Sequence, residues 1–322
     1  MKKLHHIIMA VVVLCAVSCQ KISQNGQAEE ATSVTFTVDL PYNIDTKGIS
    51  DGEKALKLFY ATYSDKGQFI PSASNITVGE TLSNKQAQVT IKLVKHLTYD
   101  IVFWAQAETC DAFTLDWTNA VMTVDYEGSA NDDYRDAFYA LKENVVITGA
   151  PYEDEVKLYR PFAQINFGAS DYNSVTEYYN ETLVDAGMQS SFACLSVPDA
   201  LNLLDGTLGT STAEAKFALT VIPSDPKELE VKGEKYRYVS MNYVLAPKGT
   251  QPDNLTEISA TFKYTDGNID RIDRTVTVPN VPILRNHRTN ILGDFFTENV
   301  MVKVIVDNEF TKPDNDVTYP VI

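Results

Sequence analysis

The chain has 322 residues, 44% of them hydrophobic, with 27 Lys and Arg against 43 Asp and Glu and a formal net charge of −16. That apolar content can bury two ordinary cores, which excludes a disordered chain. The acidic balance excludes a sequence-independent grip on phosphate backbones, so no nucleic acid partner is expected.

Lys2 and Lys3 precede an apolar run from Ile7 to Ala16 and then small residues, the order of a secretory leader. The run is too short to span a bilayer as a mature helix. Ala16-Val17-Ser18-Cys19 resembles a bacterial lipobox, which implies a signal peptide over residues 1–19 and lipidation of Cys19 as the new N-terminus. The plainer alternative is an ordinary signal peptide that happens to contain cysteines. Cys110 and Cys194 then remain for the mature chain, either bonded or as two buried thiols. Residues 20–31 are polar and aperiodic, a flexible tether.

Val34-Thr35-Phe36-Thr37-Val38-Asp39-Leu40 alternates cleanly, the pattern of a half-buried strand, and Pro41 ends it. Tyr42 to Glu53, with Asp45-Thr46-Lys47-Gly48 and Asp51-Gly52, reads as an exposed loop. Strand character returns at Leu56–Ala61, along Val89, Ile91 and Leu93, and along Tyr99, Ile101, Phe103 and Ala105, as antiparallel strands with one wet side. Tyr134, Ala137, Phe138 and Leu141 fall at helical spacing behind acidic residues and predict a short helix. Val145 and Ile147 resume strand, and Gly149-Ala150-Pro151 marks a boundary between a first domain, 32–150, and a second, 151–322.

In the second half, the alternation of Val156 and Leu158 slips by one residue after Arg160-Pro161 to Ala163, Ile165 and Phe167. A one-residue slip turns side chains to the opposite face, so the chain is expected to pass there from one β layer to another. Ser174 to Ala186 predicts a helix closed by Gly187, and Pro198 to Leu204 a short one ended by Gly206. Tyr236–Leu245, apolar on both faces in places, reads as a central strand. Asp266-Gly267 between alternating runs signals a hairpin. Met301–Val306 is a terminal strand with Val302, Val304 and Val306 on one side.

Catalytic and metal patterns are not found. His96 and His287 stand far apart without metal-ligand neighbours, and no nucleophile elbow or phosphate loop follows a strand. Glu153-Asp154-Glu155 reads as a solvated loop, and Asp266–Asp270 lacks the distal Glu of a calcium loop, with Thr277 at the twelfth place. The expectation is a protein that is not an enzyme and holds no metal or cofactor. Trp104, Trp117 and the 17 tyrosines allow a carbohydrate-binding alternative, a surface lipoprotein that captures glycans for an outer-membrane importer.

Three segments, in this order and spacing, resemble the fimbrillin superfamily of Bacteroides-type bacteria: Leu158–Gly168, Tyr238–Pro247 and Arg285–Gly293, together with the lipobox and Thr46–Gly52. The resemblance implies an all-β chain with a few short helices, two transthyretin-like antiparallel β-sandwich domains in tandem, and export as an outer-membrane lipoprotein. It further implies a structural or adhesive subunit of a fimbria-like surface filament, with other subunits, self or related, as partners and a host or bacterial surface receptor as target. In that family a protease cuts after the first strand, usually at Arg, and another subunit's C-terminal strand fills the groove so opened. The matching place here is Lys47-Gly48, and no arginine precedes Arg135, so an Arg-only protease could not free the first strand. Either another protease acts or the subunit keeps its lipid as an anchor. On this reading Val34, Phe36, Val38 and Leu40 line the removable strand, whose loss exposes a sheet edge, and Val302, Val304 and Val306 line the donor.

Overall fold

A computed structural model describes residues 30–41, 52–179, 187–223, 226–266, 268–297, 302–309 and 317–319. The leader, the tether, Cys19 and Lys47-Gly48 lie outside the described residues.

The first half contributes β1 (Ala31–Asp39), β2 (Lys57–Ser64), β3 (Asn75–Thr81), β4 (Gln86–Val94), β5 (Thr98–Gln106), β6 (Phe113–Asp116), β7 (Val121–Val124), β8 (Glu127–Ser129), β9 (Phe138–Val146) and β10 (Tyr152–Lys157). There follow β11 (Phe162–Ala169), the helix α1 (Tyr172–Tyr179), β12 (Gln189–Pro198), β13 (Ala200–Asn202), β14 (Thr212–Val221), β15 (Glu228–Val231) and β16 (Glu234–Leu245). The chain ends with β17 (Asp253–Asp266), β18 (Ile269–Ile283), β19 (His287–Gly293), β20 (Val302–Glu309) and β21 (Val317–Tyr319).

In the first sandwich a sheet ordered β10-β1-β4 faces one ordered β3-β2-β5-β9. In the second, β18-β17-β12-β14-β8 faces β15-β16-β11-β19-β20-β21. One topology underlies both. The strands β1, β2, β3, β4, β5, β9 and β10 correspond in neighbour and direction to β11, β12, β14, β16, β17, β18 and β19; each half's first strand lies between a parallel and an antiparallel neighbour. The passage at Arg160-Pro161 does carry the chain from the β10 sheet to the β11 sheet. β10, which follows residue 150, pairs with β1, and Val156 and Leu158 complete the first core.

The second core reaches into the first half. Ala61, Tyr63, Val102 and Trp104, on the far side of the β2–β5 sheet, join the cluster that also holds Phe167, Phe192 and Met241, by way of the small sheet β13-β7-β6. β5 is therefore buried on both faces, and the wet side expected for it does not exist. Hydrogen bonds from the Tyr63 hydroxyl to Trp117 O and from the Tyr139 hydroxyl to Leu203 O, both 2.8 Å, tie the same junction.

Two predicted helices are corrected. Asp132 does accept from Tyr134 N at 3.0 Å, but only one 3-10 turn, Asp133–Arg135, follows before β9 pairs with β5. Residues 200–202 form a strand against β7, and Pro198 closes β12. The helix predicted over 174–186 is α1, with 180–186 outside the described residues. Glu153-Asp154-Glu155 lies within β10, not in a loop.

Candidate strand-exchange site

β1 is built from alternating β-branched and apolar residues, which favour a pleated, half-buried surface. Its inward row, Val34, Phe36, Val38 and Leu40, is at most 1% exposed. The Phe36 ring sits 5.5 Å from that of Phe103, edge-on, and 5.8 Å from that of Tyr152. Burying a Val, Leu or Phe side chain stabilises by about 1.5–3 kcal/mol, so this one row is a large share of the first core's cohesion.

Both sides of β1 are paired. It runs parallel to β10 from Val34↔Tyr152 to Asp39↔Lys157, and antiparallel to β4 from Ala31↔Val94 to Asp39↔Gln86, with no shift in register. At its end the buried Asp39 accepts from Gln86 Nε2 at 2.6 Å, and Leu40 N donates to Lys85 O at 2.8 Å. At its start Lys95 Nζ is 2.6 Å from Glu30 Oε1, a hydrogen bond that holds the Glu30 carboxyl below the usual carboxylate range. Removal of β1 would thus leave a slot with two unsatisfied walls, not the single sheet edge expected from the sequence. The β10 wall carries its own network: the Tyr152 hydroxyl donates to Asp154 Oδ2 at 2.9 Å, and Lys142 Nζ is 2.6 Å from the same oxygen. Burial, with the neighbouring Asp154, pushes the Tyr152 phenol up to about 12.

The expected donor row is in a different situation. β20 lies between β19 and β21. Val304 packs in the second core with Val302 at its margin, and Val306 is buried. Ile305 points to the other face, against Leu229, Val231, Tyr236, Tyr238 and Leu292. The strand therefore holds its own sheet together on two faces and two sides, and it is not the last strand.

The remaining sequence candidates are placed as follows. Trp104 is fully buried and donates Nε1–H to Gln106 Oε1 at 2.8 Å, and Trp117 is 7% exposed. Neither offers a face to a sugar ring; the exposed aromatics among the described residues are tyrosines, Tyr178, Tyr159 and Tyr134. Cys110 and Cys194 are free thiols. Among the described residues there is no group of three or more His, Cys, Asp and Glu placed to hold a metal ion. No helix among them is long and apolar enough to cross a membrane.

One buried group went unforeseen. Arg160, with Asp136, is completely buried at the seam, donating from Nε and Nη2 to Oδ1 and Oδ2 at 2.6 Å each, with its guanidinium 4.5 Å from the Phe138 ring. An arginine inside the apolar run Leu158–Phe167 was the available signal, because charged side chains are almost never fully buried unless paired. Its partner, 24 residues earlier, lies in a stretch read as helix.

Residues 25–321 match a family described as a family of unknown function, DUF6562. The chain belongs to that family. No curated protein matches it in sequence. Among solved structures it is similar to the tip fimbrial protein Mfa3 from Porphyromonas gingivalis, at 10% identity and a TM-score of 0.46, over 86% of this chain and 99% of that one. It is also similar to the fimbrial anchor protein Mfa2 from Porphyromonas gingivalis, at 12% and 0.39 over 85% and 97%. A fimbrial protein from Bacteroides vulgatus gives 9% and 0.44 over 89% and 99%.

Proposed function

We propose that the protein is a structural or adhesive subunit of a cell-surface fimbria-like filament, exported as an outer-membrane lipoprotein through Cys19 and joined to other subunits by exchange of β1. Residues 30–158 and 161–319 serve as its two domains. The observation that carries this reading is the placement of β1. It fills a two-walled slot, yet it is the first strand of the described fold, joined onward only through the segment that contains Lys47-Gly48. One cut there breaks its covalent link to the rest of the described fold. An incoming strand that runs parallel to β10 and carries apolar residues at alternate positions restores both ladders and the inward row, the β-augmentation mode.

Two stretches of a neighbouring copy fit as donor. One is Val302, Val304 and Val306, which would have to leave β19. The other is the terminal segment, in which Val317, Thr318, Tyr319 and Val321 match Val34, Thr35, Phe36 and Val38 in character, with an aromatic residue where Phe36 fills the slot and Pro320, which has no ladder N–H, in place of Thr37. Deleting everything after Val300 should abolish polymerisation, but it also takes β20 out of the second sandwich's sheet. Deleting only residues after Glu309 separates the two donors, since polymerisation survives if the valine row suffices and is lost if the terminal segment is needed. Ladder-forming oligomers from the chain truncated after Val300 would refute the reading. The glycan-binding alternative has no aromatic platform at Trp104 or Trp117 to rest on.

A further inference from the structure

The strand β4 leaves one long side open. Main-chain bonds from Leu40 N to Lys85 O and from Lys95 N to Glu30 O fix the phase of its pairing with β1. In that phase Ala87, Val89, Ile91 and Leu93 bond toward β1 and face the core, while the residues between them direct N–H and C=O away from it. The outward groups at the two ends are satisfied. Gln86 exchanges both main-chain bonds with Ser83 across a tight turn at Asn84 and Lys85, whose φ values are 50° and 64°, and Val94 N donates to the Tyr99 hydroxyl at 3.1 Å. Between these ends Gln88, Thr90 and Lys92 are exposed and pair with no other strand among the described residues.

Three other edges are blunted in ways that stop strands from joining. β3 breaks register with β2 and folds Gly79, at φ 66°, back onto its own Asn75 side chain. β10 presents Glu153, Asp154 and Glu155 in succession, and β18 contains Pro279 and Pro282. β4 has no proline, glycine or bulge, and one charge, Lys92.

We infer that this edge pairs with the same edge of a second copy of the chain, antiparallel about a two-fold axis through Thr90, joining two three-stranded sheets into one of six strands. The edge is self-complementary in that arrangement. Thr90 meets the partner's Thr90 and Gln88 meets the partner's Lys92, so no like charges oppose each other in a molecule whose net charge of −16 otherwise resists self-association. Val89 falls beside the partner's Ile91, which continues the core-facing row across the seam. A contact of this kind uses one patch twice and closes on itself, so it yields a dimer and not a filament. It uses the side of β4 that faces away from β1.

The test is sedimentation equilibrium of the full chain and its variants over a range of concentrations. The wild type should be a reversible dimer. Gln88→Lys, which sets two like-charge pairs against each other per dimer, should weaken it by roughly tenfold, and Gln88→Glu should strengthen it in a salt-sensitive way. Thr90→Pro removes an N–H that points outward, so it should give a monomer whose unfolding stays cooperative and loses its dependence on concentration. Thr90→Cys should form an intermolecular disulfide under mild oxidation, because directly hydrogen-bonded antiparallel partners have Cα atoms about 5.5 Å apart. A wild type that is monomeric at every concentration, or Gln88→Lys and Gln88→Glu shifting the equilibrium in the same direction, would overturn the inference. So would an open edge that takes up an acidic strand peptide while the chain stays monomeric.

Discussion

β1 and β11 occupy the same place in the two halves, each between a parallel and an antiparallel neighbour, yet they are bound into the molecule very differently. β1 buries one face, with Thr35 and Thr37 on the other only half-covered, and the chain continues from it at one described end. β11 is buried along its whole length on both faces, and the Arg160–Asp136 pair clamps its entry. One topology can thus hold a strand covered on one face and linked onward at one described end, and a strand covered on both faces and linked onward at both ends. The difference is set by what covers the second face and by where the chain enters and leaves, not by strand pairing.

Two large perturbations should separate these roles. Arg160→Met leaves Asp136 buried without its counter-charge and should cost about 3–5 kcal/mol in denaturant unfolding, and pairing it with Asp136→Leu should recover most of the loss. Phe36→Ala should cost a similar amount, about 3–5 kcal/mol. Its effect should be local: amide exchange should accelerate in β1, β4 and β10 while β11, β16 and β19 stay protected. Arg160→Met should instead accelerate exchange on both sides of the seam. Equal loss of protection everywhere in both variants would erase the distinction drawn between the two strands.

A smaller effect should appear with alkali. Burial keeps the Tyr152 phenol neutral to about pH 12 in the folded chain, whereas an unfolded tyrosine ionises near pH 10. A raised folded pKa means that stability is intact below about pH 10 and falls as the pH climbs toward 12. Burial pushes Tyr63, Tyr126 and Tyr139 upward as well, so both halves should weaken together. Unfolding midpoints followed with tyrosinate absorbance would show this, and Tyr152→Phe should flatten the slope slightly. Least of all, Thr35→Ala on the outer face of β1 should stay within about 0.5 kcal/mol of wild type.

Much of this was legible in the chain where pattern is local. The β1 alternation, the two-faced β16 and the layer change at Arg160-Pro161 all follow from period-two spacing and from a proline that cannot donate to a ladder. Legibility stops where long-range pairing decides. The acidic cap at Asp132 is real, but Asp136 turns inward to Arg160 and Phe138 pairs with Ala105, so a helical spacing becomes a strand. Likewise Ile101-Val102-Phe103-Trp104-Ala105 reads as one wet and one dry face only until the second core closes over Val102 and Trp104. At the candidate site the inward row of β1 was visible in the sequence, but its second wall was not, since β10 is more than 100 residues away in the chain.

If β1 is a replaceable filling for a preformed slot, another strand must be able to take its place. An engineered protease site between Lys47 and Gly48, cut once in the folded protein, allows the β1 fragment to be followed by mass spectrometry while a peptide of the sequence Ala31–Leu40 is added in excess. The fragment should be exchanged for the peptide while the remainder keeps its cooperative unfolding transition. A fragment that never leaves, or one whose departure unfolds the first sandwich so that no peptide is taken up, would contradict that expectation.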